Sequence, residues 1–97
     1  MREMMILFDE TCVGWSNNPK MNQLYIKHVE EHLNDRLHNS DWVCLNDLYC
    51  CLGMRRLKIG QIYGWINDGK TAIHLELYPT DNGNIEIIIR DLDNLLV

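Results

Sequence analysis

The chain has 97 residues, 46% of them hydrophobic and 24% charged, a composition that predicts one ordered domain spanning residues 1–97. Fourteen acidic and nine basic side chains give a net charge of −5, which argues against direct binding to nucleic acid because phosphate contacts depend on Lys and Arg. Since no apolar run is long enough for a signal peptide or a membrane span, we expect a cytoplasmic protein whose four cysteines are reduced.

The first forty residues predict a strand followed by a long helix. The apolar run at residues 4–8 favours a short buried strand. The run Ser16-Asn17-Asn18-Pro19 is typical of a helix start, because an Asn side chain caps the free N–H groups and Pro at the first position has no N–H to leave unpaired. The helix is predicted over residues 19–37. Its core-facing stripe has Ile26, Val29, Leu33 and Leu37 at its centre and Asn22, Tyr25 and Arg36 at its margins.

The middle of the chain predicts an extended segment at residues 42–45 and a short helix at residues 47–52. Asn46 is the predicted N-cap of this helix. Gly53 is predicted to end it in the left-handed conformation, which Gly adopts at little cost. The basic cluster that follows, at residues 54–58, is predicted to be an exposed loop.

The last third predicts a β-meander with strands at residues 61–66, 71–78 and 84–90 and turns at residues 67–70 and 79–83. If the second loop has an odd number of residues, Leu77 lies opposite Ile87, and the strands share one apolar face that packs against the long helix. That face is predicted to hold Ile73, Leu75, Leu77, Ile85, Ile87 and Ile89. The apolar tail at residues 91–97 is expected to dock on the domain. The fold class is therefore α+β, with a three-stranded antiparallel sheet, or a four-stranded one if residues 4–8 join it, packed by one long and one short helix.

The second sheet face is the predicted site of protein contact. The same register sets His74 opposite Arg90, Glu76 opposite Ile88 and Tyr78 opposite Glu86. The polar members resemble an acid–base cluster, but cross-strand polar and ionic pairing is the interpretation we prefer, and we predict no catalytic role. The predicted interface comprises Tyr63, Trp65, His74, Glu76, Glu86 and Arg90. Core packing is the alternative for Tyr63 and Trp65.

Two other patterns suggest chemistry. His28 and His32 frame the sequence HVEEH, which matches the inverted zinc-protease pattern of two metal-binding His and a Glu base. Both histidines fall on the solvated flank of the predicted helix, so we interpret them as exposed residues, with incidental zinc or nickel binding left open. Cys50 and Cys51 lack both the spacing of a thiolate metal site and a neighbouring base. Small buried side chains are the interpretation we prefer for them, and no metal or cofactor is predicted.

Residues 43–49 (VCLNDLY), 52–53 (LG) and 60–65 (GQIYGW) together resemble a core pattern of small uncharacterised proteins of Gram-positive (Firmicutes) phages and integrated mobile elements. The resemblance covers roughly residues 25–96. This chain departs from that pattern after Gly53, where Met54 stands in place of an expected Pro, and in the shortened loop at residues 67–70. The resemblance carries over no catalytic residues. It implies a small accessory protein of a mobile element in the cytoplasm of a bacterial host.

In that context we predict a non-enzymatic protein that acts by binding another protein, foremost as an inhibitor of a host defence protein such as a CRISPR nuclease (an anti-CRISPR). Its partner would be a basic nucleic-acid-binding host protein, which an acidic chain reaches by electrostatic steering. The alternative is a self-associating structural or regulatory module, a homodimer formed through the sheet edge or the apolar tail. A small hydrolase or metal enzyme is the third hypothesis.

Overall fold

The computed structural model describes residues 2–96, with the side chain of Arg2 left out. It has eight main elements in chain order: β1 (Arg2–Phe8), α1 (Pro19–His38), β2 (Trp42–Cys44), α2 (Leu45–Cys51), α3 (Ile59–Ile62), β3 (Tyr63–Ile66), β4 (Glu76–Pro79) and β5 (Ile85–Asn94). A 3-10 turn, Asp81–Gly83, connects the last two strands. The α+β class with an antiparallel sheet is confirmed. The sheet has five strands, however, and the described part of the chain has a third, one-turn helix.

The long helix α1 begins at its predicted start, and the centre of its predicted stripe is buried. The Asn18 Oδ1 accepts the backbone N–H groups of Lys20 at 3.0 Å and Met21 at 3.3 Å, which satisfies two of the donors left free at a helix start. The buried residues are Asn22, Ile26, Val29, Leu33 and Leu37. Arg36 is exposed, because a long cation at the margin of the stripe reaches water. None of the helices within residues 2–96 is both long and apolar enough to cross a membrane.

The central strand of the sheet is β5. On one side it pairs with β1, where Met5 faces Ile88 and Phe8 faces Ile85. On the other side of β5, β4 pairs with the first half of β5 and β3 pairs with the last two residues of β5. The strand β3 in turn pairs with β2. The strand predicted at residues 4–8 is therefore part of the sheet, and the extended segment at residues 42–45 supplies a further strand.

The β4–β5 hairpin has the predicted register. Leu77 pairs with Ile87, Glu76 with Ile88 and Tyr78 with Glu86, and the loop spans residues 80–84, an odd number. Asn82 has a φ of 63° and Gly83 a φ of 80°, left-handed conformations that Asn and Gly tolerate best. Inward residues of both strands enter the core as predicted, with Leu77 half-buried at its margin.

The predicted pairing of residues 61–66 with residues 71–78 is wrong. Residues 71–75 form no strand, because side chains of α1 take up their backbone groups. The N–H of Ile73 donates to Asn34 Oδ1 at 2.7 Å and the N–H of Leu75 donates to Glu30 Oε2 at 2.8 Å. Ile73 and Leu75 are still buried, so the core gains their side chains without a strand. His74 consequently has no strand pairing with Arg90.

Asn46 is not a helix cap. The helix α2 begins two residues earlier than predicted, at Leu45, and Asp47 accepts the N–H of its N-cap residue Cys44 at 3.1 Å. The buried Asn46 instead makes two 2.9 Å hydrogen bonds with the backbone of Leu57, one through each polar atom of its amide. These bonds fasten the basic loop to α2. Gly53 ends the helix with a φ of 70°, as predicted.

A β-bulge divides β5. Met4 faces Ile89 whereas Arg2 faces Leu92, so β5 has one residue more than β1 in this stretch. Asp91 lies in the bulge with a φ of 61°. The extra residue shifts the alternation of inward and outward side chains by one position. The next buried residue after Ile89 is therefore Leu92, and Asp91 is exposed.

The C-terminal tail docks only in part. Leu92 is fully buried, and the N–H of Leu95 donates to the carbonyl of Ile62 at 2.6 Å. Leu96 is 77% exposed. Val97, the last residue of the predicted docking segment, lies outside the described residues.

Candidate functional site

Within residues 2–96, the outward side chains of β1, β4 and β5 as far as Arg90 share one face of the sheet, and all of them are exposed or half-buried. Alternation sends Ile6, Phe8 and the inward isoleucines of β5 into the core, and their neighbours to the opposite side. We call this opposite side the open face, formed by Glu3, Met5, Leu7, Glu76, Tyr78, Glu86, Ile88 and Arg90. Three strands contribute to it, so hydrogen-bonded backbone holds its side chains at fixed spacing.

The open face has an apolar end formed by two cross-strand rows. In the first row Glu86 stands between Leu7 and Tyr78, and in the second Ile88 stands between Met5 and Glu76. Met5 is 58% exposed, Leu7 43% and Tyr78 47%. Large apolar side chains grouped on a surface are typical of a contact site, whereas isolated ones need no explanation.

Arg90 organises the charged end of the open face. Its Nε donates to Glu76 Oε2 at 2.6 Å and its Nη1 contacts the carboxylate of Glu3. The hydroxyl of Tyr78 donates to Glu76 Oε1 at 2.9 Å. The hydrogen bond from Arg90, and after it the one from Tyr78, holds the pKa of Glu76 below its ordinary value of 4.5. We call Glu3, Glu76 and Arg90 the charged triad; its Glu76 also accepts the hydroxyl of Tyr78 and so fixes the position of the Tyr78 ring.

A cleft of ≈ 460 Å³ adjoins the charged triad. It lies where β5 changes partner, since β4 pairs only as far as Ile88 and β3 begins its pairing at Asp93. The lining residues are Trp65, Asp68, Thr71, Ala72, His74, Glu76, Arg90, Asp91 and Asp93. Four carboxylates thus face one guanidinium and one imidazole, and we call this feature the acidic cleft. Glu76 and Arg90 belong to both the cleft and the open face, so the two surfaces are continuous.

Residues 2–91 match a family of unknown function, DUF6353. The chain belongs to this family. No curated protein and no solved structure matches it. The match extends from β1 to the bulge in β5 and so includes all eight residues of the open face. Family membership alone assigns no activity, and the link to phages and mobile elements stays a prediction.

The structure of this DUF6353 chain separates the predicted interface residues into two groups. Glu76, Glu86 and Arg90 lie together on the open face, and exposed His74 lies beside them in the acidic cleft, with its Nδ1 3.8 Å from Glu30 Oε2. Trp65 is only 3% exposed and belongs to the core, and half-buried Tyr63 packs against that core. The expectation that Trp65 lies on an accessible face is therefore corrected, because Trp65 pairs with the fully buried Val43 of β2 and shares its core-facing side of the sheet.

Sequence reasoning missed the contribution of β1 to this face. Met5 and Leu7 belong to an uninterrupted apolar run, in which outward and inward residues look alike. The missed signal was the position of the charged residue before the run. Glu3 precedes Met5 by two positions and Leu7 by four, and residues with this spacing point to the same face of a strand. Tyr78, which was placed on this face, replaces Trp65 as its exposed aromatic residue.

The other candidate chemistry lies elsewhere in the DUF6353 chain. His28 and His32 are both exposed on α1. Residues 2–96 contain no group of three or more His, Cys, Asp or Glu side chains arranged to hold a metal ion. Burial, as the largest cause, raises the pKa of the Cys44 and Cys51 thiols, which disfavours the thiolate form that a nucleophile needs. Cys50, expected to be buried, is exposed, and the Arg56 Nε lies 3.1 Å from its sulfur.

Proposed function

We propose that the protein acts by binding another protein through the open face. The observation that carries the proposal is the grouping of Met5, Leu7 and Tyr78, all more than two-fifths exposed, on one rigid sheet surface. Apolar anchors beside a polar rim are the usual anatomy of a protein interface. The charged triad supplies that rim on one side.

The charges favour a basic partner. The acidic cleft continues the open face, and the chain as a whole carries a net charge of −5. Complementary charge accelerates encounter and makes binding sensitive to salt. A basic surface, such as the nucleic-acid channel of a host defence protein, suits this combination. Inhibition of a CRISPR nuclease or a similar defence protein is accordingly our proposal for the partner, supported by the resemblance to phage and mobile-element proteins.

Self-association is the second candidate, because β1 has an unpaired outer edge, among residues 2–96, beside the same apolar residues. In both cases the protein is proposed to act without catalysing a reaction. The two candidates differ in their partner and in their response to salt. A basic partner should be released by moderate salt, whereas pairing of two acidic copies should persist in it.

The test is affinity capture with matched surface variants as bait, from a Gram-positive lysate that contains active defence systems. Leu7→Lys changes the open face, and Leu24→Lys makes the same change at a similarly exposed position on α1. We expect a near-stoichiometric partner with the wild type and Leu24→Lys, released by moderate salt, and its loss with Leu7→Lys. A partner retained equally by both variants would exclude the open face. Recovery of the bait alone would contradict binding to a second protein.

A further inference from the structure

The outer edge of β1 has no strand beside it within residues 2–96. Natural edge strands are normally protected by charges, proline, a bulge or a very short length, because their free N–H and C=O groups pair readily with another chain. In β1 the seven residues Arg2–Phe8 contain no proline and carry charge only at Arg2 and Glu3. The one described contact to its backbone from outside the ladder is a weak one, from the Cys12 sulfur to the carbonyl of Leu7 at 3.8 Å.

The sequence of β1 is complementary to itself. Antiparallel pairing of two copies about a two-fold axis at Met5 places Met4 opposite Ile6 of the second copy, on the core side of both sheets. On the open side it places Met5 opposite Met5 and Glu3 opposite Leu7. Apolar residues thus meet apolar ones at the axis, and no two like charges are opposed.

Shifting the two-fold axis by one residue in either direction still aligns the two sheet faces, but it gives less favourable cross-strand pairs or a shorter paired stretch. An axis at Ile6 opposes Glu3 to Asp9 of the second copy, which places like charges together. An axis at Met4 opposes Arg2 to Ile6 and leaves Phe8 beyond the paired stretch. An axis at Met5 also opposes Arg2 to an apolar residue, Phe8, but it pairs all seven residues of the strand and opposes no two like charges.

We infer that the occupant of the β1 edge is a second copy of this chain, paired antiparallel about a two-fold axis at Met5. The two five-stranded sheets then form one continuous sheet. Met5 and Leu7 of both copies make a central apolar stripe on its open side, with one charged triad on each flank. The inference deepens the second candidate function, self-association at the β1 edge, by assigning its register and symmetry, and it is measurable without any other protein.

The test is sedimentation velocity over a wide range of protein concentration, with charge variants at the axis. The wild type is expected to dimerise. Met5→Lys and Met5→Glu each oppose two like charges, and each should weaken the dimer at least about tenfold. An equimolar mixture of the two variants opposes Lys to Glu and should restore the dimer. Leu24→Lys makes the same charge change at an exposed position on α1, away from the β1 edge, and should leave the dimer intact.

Far-UV circular dichroism and thermal unfolding establish that each variant is folded. Hydrogen exchange of the wild type gives a second measurement that needs no variant, since the β1 amides should become more protected as concentration rises. A wild type that stays monomeric overturns the inference. So does a dimer that both Met5 variants retain, or a mixture that fails to restore association. A failed capture experiment leaves these measurements unaffected, so the two proposals fail separately.

Discussion

The side chain of Asn34 in α1 binds both backbone groups of Ile73, accepting its N–H at 2.7 Å and donating to its carbonyl at 2.9 Å. An amide side chain thereby does for residue 73 what a neighbouring strand would otherwise do. With the bond from Leu75 to Glu30, this contact keeps residues 71–75 off the edge of β5. The acidic cleft occupies the space left by that missing strand pairing.

Replacing Asn34 should therefore destabilise the fold. Asn34→Ala leaves the backbone N–H and C=O of Ile73 without partners, which costs about 1–3 kcal/mol for buried groups. The free energy of unfolding in urea measures the loss. Asn39→Ala is the matched control, because the amide of Asn39 contacts the carbonyl of Asp35 in exposed surroundings and should cost far less. Equal losses in both variants would show that the bridge to Ile73 contributes nothing special.

Asn46 and Gly60 should behave as one unit. A Cβ at position 60 would lie 2.0 Å from Asn46 Oδ1, so Gly60→Ala must displace the amide of buried Asn46 and disturb its two hydrogen bonds to Leu57. Each of Gly60→Ala and Asn46→Ala is expected to cost about 1–3 kcal/mol. The double variant should cost less than their sum, because removing the amide also removes the clash. A double-mutant cycle from urea unfolding measures the coupling, and additive losses would contradict the contact.

Glu76 should make stability depend on acid pH. Because Arg90 and Tyr78 hold its pKa below the ordinary 4.5, the folded state binds this proton more weakly than the unfolded state. The stabilisation is complete above the ordinary pKa and disappears as pH falls through the lowered one. Unfolding free energies measured from neutral to acid pH should therefore fall more steeply for the wild type than for Glu76→Gln.

The Arg90→Gln background is the control for that comparison. Arg90 is the largest cause of the lowered pKa of Glu76. In its absence, the effect of Glu76→Gln on the pH profile should shrink to the part that is due to Tyr78. Parallel pH profiles of the wild type and Glu76→Gln, with Arg90 in place, would exclude the charged triad as a source of pH dependence.

Asp91 should tolerate glycine but not a β-branched residue. Its φ of 61° is left-handed, a conformation that Gly adopts freely and Val avoids by about 1–2 kcal/mol. Asp91→Val should thus be destabilised by about that amount in urea, with Asp91→Gly close to the wild type. Asp93→Val is the matched control, since Asp93 lies in the same strand without a positive φ. A harmless Asp91→Val would mean that the bulge does not depend on this residue.

Features set by neighbouring residues could be predicted from the sequence. The Asn18 cap and the apolar stripe of α1 follow from capping chemistry and helical spacing, and the β4–β5 register follows from face matching in a hairpin. The shared face of Glu76, Tyr78 and Glu86 was predictable for the same reason, since these residues belong to one local hairpin. Each of these features is set by interactions between residues close in the sequence, so the short segment by itself favours the observed conformation.

The path of residues 71–75, the burial of Trp65 and the exposure of Met5 and Leu7 depend on long-range contacts. The contacts that set the path are long-range. Asn34 and Ile73 are separated by 39 positions in the sequence, and Glu30 and Leu75 by 45. Residues 71–75 do not form the strand that their propensity favours, because side chains of α1 make hydrogen bonds with their backbone that replace those of a neighbouring strand. Trp65 lies in the core and β1 lies at an open edge because of which distant strands are neighbours in the sheet, and no local pattern in the sequence specifies those neighbours.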